Sequence, residues 1–131
     1  MKILIDSDII IDFLNNQSFA VTFFRESTIN NEIFVSVISW AEVVYGFKKI
    51  KAINKTKLFQ NFLDNYQIKV IPIDQEVAEK YLDVKIDLES RRLPLDDFDL
   101  LIAATALAKN LFLATRNIKH FERIEGLNLF S

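Results

Sequence analysis

Three carboxylates stand where strands and helices would bring them to one crevice. Asp6 ends the apolar run Met1-Lys2-Ile3-Leu4-Ile5, Glu42 lies in Ser39-Trp40-Ala41-Glu42, and Asp99 opens Asp99-Leu100-Leu101-Ile102-Ala103-Ala104. An ionised carboxylate in apolar surroundings is costly unless it is paired or binds a cation. Three of them in one crevice point to a divalent metal site, and so to an enzyme rather than a scaffold. The chain has no Cys and a single His, so neither a thiolate zinc site nor a multi-histidine site can be built from it. Any metal must be held mainly by oxygen. The only glycines, Gly46 and Gly126, lie far apart, which leaves no Gly-rich loop for a nucleotide phosphate. His120 sits in a charged segment without a nucleophile elbow, which argues against Ser/His/Asp catalysis.

The elements that must position these acids alternate between strand and helix. Strands are expected at Lys2 to Ile5, Ile33 to Val37, Ile68 to Ile73, Leu111 to Ala114 and Leu127 to Phe130. Helices are expected at Asp8 to Leu14, at Ser18 to Thr28 with Ser18 as N-cap, at Asn54 to Tyr66 with Leu58, Phe59, Phe62 and Leu63 inward, and at Asp74 to Arg92 with Asp74 as cap. A further helix begins at Ser39, with Glu42 at the capping-box spacing and Trp40, Val43, Val44 and Phe47 as its apolar stripe. On the sequence alone, a capping role for Glu42 competes with a metal role. After a loop at Leu93 to Asp97, a helix from Asp97 or Phe98 to Lys109 carries Ala103, Ala104, Ala106 and Ala108, small enough for close approach to a sheet; Asn117 to Arg123 reads as a short irregular or helical piece. This order predicts one α/β domain over residues 1–131, three-layered, with a mostly parallel sheet of four to five strands and a crevice at their carboxyl ends.

Four segments carry a family resemblance. Ile3-Leu4-Ile5-Asp6-Ser7-Asp8-Ile9-Ile10-Ile11-Asp12 resembles the opening motif of PIN-domain ribonucleases, and Ile38-Ser39-Trp40-Ala41-Glu42-Val43-Val44-Tyr45-Gly46 their second. Phe98-Asp99-Leu100-Leu101-Ile102-Ala103-Ala104-Thr105-Ala106 is similar to the third motif and Leu113-Ala114-Thr115-Arg116-Asn117-Ile118-Lys119-His120-Phe121 to the fourth. Within that family the chain looks most like the VapC toxins of toxin–antitoxin pairs. The resemblance implies an RNA phosphodiester hydrolysed by a metal-activated water, with Asp6, Glu42 and Asp99 as catalytic, metal-binding acids and Mg²⁺ as cofactor, Mn²⁺ substituting. Ser7, Asp8, Thr115 and Asn117 are implied as supporting residues, Ser7 holding the first acid or a metal-bound water. Asp8 stands where the motif more commonly has Asn, and His120 where the family usually has a fourth acid. A neutral imidazole suits Mg²⁺ poorly, so a second metal position is the feature most affected.

The resemblance also implies partners: RNA, with tRNA suggested by likeness to the initiator-tRNA-cleaving branch, a VapB-like antitoxin, and a second copy in a homodimer. A net charge of −2 does not advertise nucleic-acid binding. Candidate RNA contacts are therefore local: Arg116, and Lys48 and Lys49 in a lysine-rich stretch that reads equally as a solvated helix end. Asp96 and Asp97 read as helix caps. Most of the twelve Phe belong in a core, and Phe13, Phe19, Phe23 and Phe24 cluster where an exposed part would serve a partner. The chain starts directly in a strand pattern and has no stretch of membrane-spanning length, so a cytoplasmic location without a membrane partner is expected. Two rival readings stand beside the nuclease. One is a catalytically weakened PIN-like domain that binds RNA or protein; the other is a haloacid-dehalogenase-type phosphatase with Asp6-Ser7-Asp8 as its aspartyl motif.

Overall fold

In the computed structural model, residues 1–130 are described, the side chain of Phe19 excepted. Four strands, β1 (Lys2–Ile5), β2 (Glu32–Ser36), β3 (Lys69–Ile71) and β4 (Phe112–Ala114), form an all-parallel sheet in the order β3-β2-β1-β4. Helices α1 (Ser7–Leu14), α2 (Ser18–Ser27), α3 (Val37–Lys49), α4 (Ile53–Asn65), α5 (Gln75–Ser90), α6 (Asp97–Lys109) and α7 (Ile118–Phe121) surround it.

The central strands are apolar on both faces because helices cover both. Side chains alternate along a strand, so Ile3 and Ile5 of β1 enter one core with Ile33, Val35, Phe24, Phe59 and Phe62, while Leu4 enters the other with Leu88, Leu100, Ala103, Leu113 and Phe121. That division produces the three layers. Ala103 and Ala106 of α6 are buried beside Leu4 and Leu113, the close approach that small side chains permit.

Several boundaries differ from expectation. The expected fifth strand at Leu127 to Phe130 is reduced to one parallel bridge, Leu113 to Leu129. Ser18 is the first residue of α2; the N-cap is Gln17, with no side-chain bond. Helix α3 starts at Val37, where Ser36 Oγ accepts the Ile38 N–H at 3.1 Å. Ser39 is therefore buried inside the helix and Glu42 is no part of a capping box. Leu58 is 60% exposed, because Phe59, Phe62 and Leu63 already fill the inward stripe of α4. Asp96 does cap α6, accepting from Phe98 N, whereas Asp97 accepts from Tyr81 Oη and Lys85 Nζ of α5.

Candidate active site

The strand order reverses at β1: the chain moves to β2 and β3 on one side and returns to β4 on the other. An open parallel sheet has its crevice at such a switch point, beyond the strand carboxyl ends. Ile5 is level with Val35 and Ala114, so Asp6 and Thr115 leave adjacent strands side by side. Thr115 Oγ1 donates across the gap to Asp6 Oδ2 at 2.8 Å, and the Ser7 N–H donates to Asp6 Oδ1 at 2.8 Å. Asn117 N–H in turn donates to Thr115 Oγ1 at 3.0 Å. Both oxygens of the buried Asp6 are thus fixed, by the first turn of α1 and by the loop after β4.

The other two acids arrive on helices. Glu42 lies in the second turn of α3, and its Oε1 accepts from Ser7 Oγ at 3.2 Å, which ties the second motif to the first. Asp99 lies in the first turn of α6, half-buried. Burial first, and the neighbouring carboxylates with it, push all of them up: Asp6 feels Asp99, Glu42 feels Asp6, Asp99 and Asp96, and Asp99 feels Asp96 and Asp8. Hydrogen bonds from Thr115 and Ser7 work against the rise at Asp6, and His120 works against it at Asp99.

Asp8 joins this group. Its carboxyl is pushed up to about 6, by burial and by Asp6. Asp8 Oδ2 accepts the Arg116 N–H at 3.1 Å, while Oδ1 is buried with no partner. The Arg116 guanidinium reaches α1 and pairs with Asp12 Oδ2. Asp12 is a residue that sequence reasoning overlooked; its position four after Asp8, on the same face of α1, was the available signal. Arg116 therefore braces the loop after β4 against α1. His120, on α7, is exposed, with Nδ1 2.7 Å from Asn117 Nδ2. Lys48 and Lys49 end α3, exposed and away from this cluster of bonds.

Mutual repulsion among half-buried acids is the condition that a cation relieves. The donors are oxygen, the acids are held above their usual range, and one buried oxygen of Asp8 lacks a donor; this set fits a hard divalent ion. Among the described residues no three acidic or imidazole side chains form a ready-made ligand group. Ser7 Oγ instead links Glu42 to Asp6, whose other oxygen Thr115 holds, while Asp99 meets the group through its charge.

The PIN domain family model matches residues 3–127. Ribonuclease VapC1 of Methanocaldococcus jannaschii is 30% identical over 128 residues, covering 98% of this chain and 85% of that protein. The chain belongs to the VapC ribonucleases of the PIN-domain family. Among solved VapC structures, that of VapBC2 from Rickettsia felis, bound to a DNA fragment from its promoter, superposes with a TM-score of 0.84 at 31% identity. It covers 99% of this chain and 98% of that one. The tRNA(fMet)-specific endonuclease VapC of Shigella flexneri is 25% identical over 128 residues, covering 97% of this chain and 95% of that protein. Membership in this family replaces the phosphatase reading of Asp6-Ser7-Asp8. No helix among the described residues is long and apolar enough to cross a membrane.

Proposed function

We propose that the chain is a metal-dependent endoribonuclease acting as the toxin of a VapB-like antitoxin, with Asp6, Glu42 and Asp99 as its working acids. The observation that carries this reading is the convergence of acids from β1, α3 and α6 at the sheet's switch point, all pushed up by burial and proximity. Asp6 and Asp99 would hold the cation, with Glu42 reaching it directly or through water; Mg²⁺ keeps several water ligands and so needs few protein carboxylates. When bound, Mg²⁺ or Mn²⁺ supplies a Lewis acid that polarises phosphate and water and offsets developing charge.

The chain's own residues do the rest. Thr115 and Ser7 aim Asp6 and oppose the upward push of burial, since hydrogen bonds to the charged form favour it. Glu42, held by Ser7 Oγ, would be the carboxylate that accepts a proton from an attacking water. Membership among ribonucleases supports RNA as the substrate class, and likeness to the Shigella flexneri enzyme supports tRNA within it. The antitoxin partner follows from likeness to VapBC2 of Rickettsia felis; a homodimer in the cytoplasm completes the reading.

The test is RNA cleavage by the purified, partner-free chain in Mg²⁺ or Mn²⁺, and its loss in chelator. Asp6→Asn and Asp99→Asn should each lower the rate by orders of magnitude while leaving the circular dichroism spectrum unchanged. Full activity in either variant would remove that residue from the site. Phosphate release from small phosphomonoesters, without RNA cleavage, would overturn the function.

A further inference from the structure

We propose that the face of α3 leading away from the acids is a track for single-stranded RNA. Tyr45 is its stacking platform and Lys48 and Lys49 bind the phosphates; the proposal rests on the nuclease reading above. Glu42, Tyr45 and Lys49 are spaced i, i+3, i+7, which places them on one face of the helix. At 1.5 Å per residue, Lys49 lies about 10 Å along the axis from Glu42. A strand whose scissile phosphate sits at the acids would therefore run over Tyr45 before reaching the lysines.

The surface along that line is built of the right parts. Tyr45 is 65% exposed, an unusual setting for a large ring in a folded chain. It lines an open groove of about 520 Å³ with Trp40, Ala41, Val44, Lys48 and Lys49. Lys49 Nζ stands 5.9 Å from the centre of the Tyr45 ring, so a cation already flanks the platform. Gly46, next along the helix, leaves open space where a side chain would begin.

Charge supplies the second, independent argument. Lys48, Lys49, Lys51, Lys55 and Lys57 fall in a stretch without any Asp or Glu between Glu42 and Asp64, in a chain whose net charge is −2. All five are exposed. Lys2, Lys85 and Lys109 are paired with carboxylates, whereas among the described residues none of these five has an ion pair. Unneutralised ammonium groups beside an exposed ring combine the two elements that bind single strands, phosphate attraction and base stacking. An acidic protein helix would also meet the lysines, but it would gain nothing from a track that ends at carboxylates. A phosphate is what a cation held by those carboxylates would accept.

The experiment measures binding of a fluorescein-labelled single-stranded RNA of about 10 nucleotides by anisotropy, in chelator so that nothing is cleaved, across a salt series. Sedimentation is run on every variant. Tyr45→Ala should weaken binding at least about fivefold, and Tyr45→Phe should retain it. Lys48→Gln with Lys49→Gln should flatten the salt dependence by about 1.4 in log–log slope, roughly 0.7 for each phosphate left without its lysine. Lys80→Gln, an exposed lysine on α5, should change neither. Wild-type binding with unaltered affinity and slope in the α3 variants would overturn the track and leave the nuclease reading standing. Failure of the wild-type chain to bind this RNA would overturn the track, while the nuclease reading stands or falls on cleavage in Mg²⁺. Weakened binding that tracks conversion of a dimer to a monomer would assign this face to a second copy and overturn the proposal.

Discussion

Asp8 offers the sharpest physical test of the acidic cluster, because its substitution changes one charge and almost no volume. Its folded-state carboxyl is pushed up to about 6 from an ordinary 3.8, chiefly by burial and then by Asp6. A carboxyl raised on folding contributes stability that is fully present below its unfolded pKa and is lost as pH rises through the folded one. The metal-free protein should therefore weaken between about pH 4 and pH 6, and the raised Asp6, Glu42 and Asp99 act in the same direction. The unscreened cost of an ionised Asp8 is about 3 kcal/mol, from about 1.4 kcal/mol per pKa unit. The group is partly open to solvent, so screening reduces this to about 1–2 kcal/mol.

Asp8→Asn keeps an oxygen for the Arg116 N–H and removes the charge. At pH 7.5 in chelator the variant should be more stable by that amount. For 131 residues at about 2.1 cal/mol/K each, the gain is roughly 4–7 °C in Tm. The assay is thermal unfolding followed by circular dichroism across pH 3.5 to 8, with and without Mg²⁺. The advantage should shrink as pH falls through the folded pKa of about 6 and all but vanish below the unfolded value of 3.8, where Asp8 is neutral in both states, and it should shrink in Mg²⁺, which offsets the charge that the substitution removes. Equal Tm values at pH 7.5 in chelator, with parallel pH curves, would refute the claim that Asp8 is ionised against its environment.

Three further outcomes are expected. His120→Asp should lower the Mg²⁺ concentration for half-maximal cleavage above the His titration range, because an oxygen ligand replaces an imidazole; superimposable Mg²⁺ titrations would show that one cation suffices. Thr115→Val removes a hydrogen bond that favours the ionised form of Asp6, so the acid limb of the pH–rate profile should move to higher pH and the Mg²⁺ requirement should rise. Thr115→Ser should restore both, and an unmoved acid limb in the valine variant would reject the role. Expression alone should slow growth and co-expression with a small neighbouring antitoxin should restore it; normal growth at a blot-confirmed level would count against a toxin.

The fold was legible because each strand announced itself as an apolar run and each long helix as a stripe. Asp6, Glu42 and Asp99 were legible because they break those patterns. What the sequence hid were decisions made by tertiary packing. Ser39 and Glu42 match a capping box, but Ser36 took the cap because β2 ends in register with β1 and passes straight into α3. Leu127 to Phe130 has strand-like residues, yet only Leu129 pairs, since β4 itself spans three residues. Most of the Phe are core, as expected: Phe13, Phe24, Phe62 and Tyr66 pack edge to face and tilted against one another, while exposed apolar residues such as Tyr45, Ile50, Ile53 and Leu58 lie on α3, α4 and the turn between them.

The pairing of Arg116 with Asp12 holds the loop of the fourth motif against α1 although His120 stands where the family's acid is usual. The substitution at His120 leaves untouched the part of that loop that holds Asp6. Thr115 still donates to Asp6, Arg116 N–H still meets Asp8, and the Arg116 guanidinium anchors the loop to α1 through Asp12. Asp6, Glu42 and Asp99 stand together against burial and mutual repulsion, and the loop that holds Asp6 is intact; an arrangement that costs stability in this way favours a working centre over a residual binding domain.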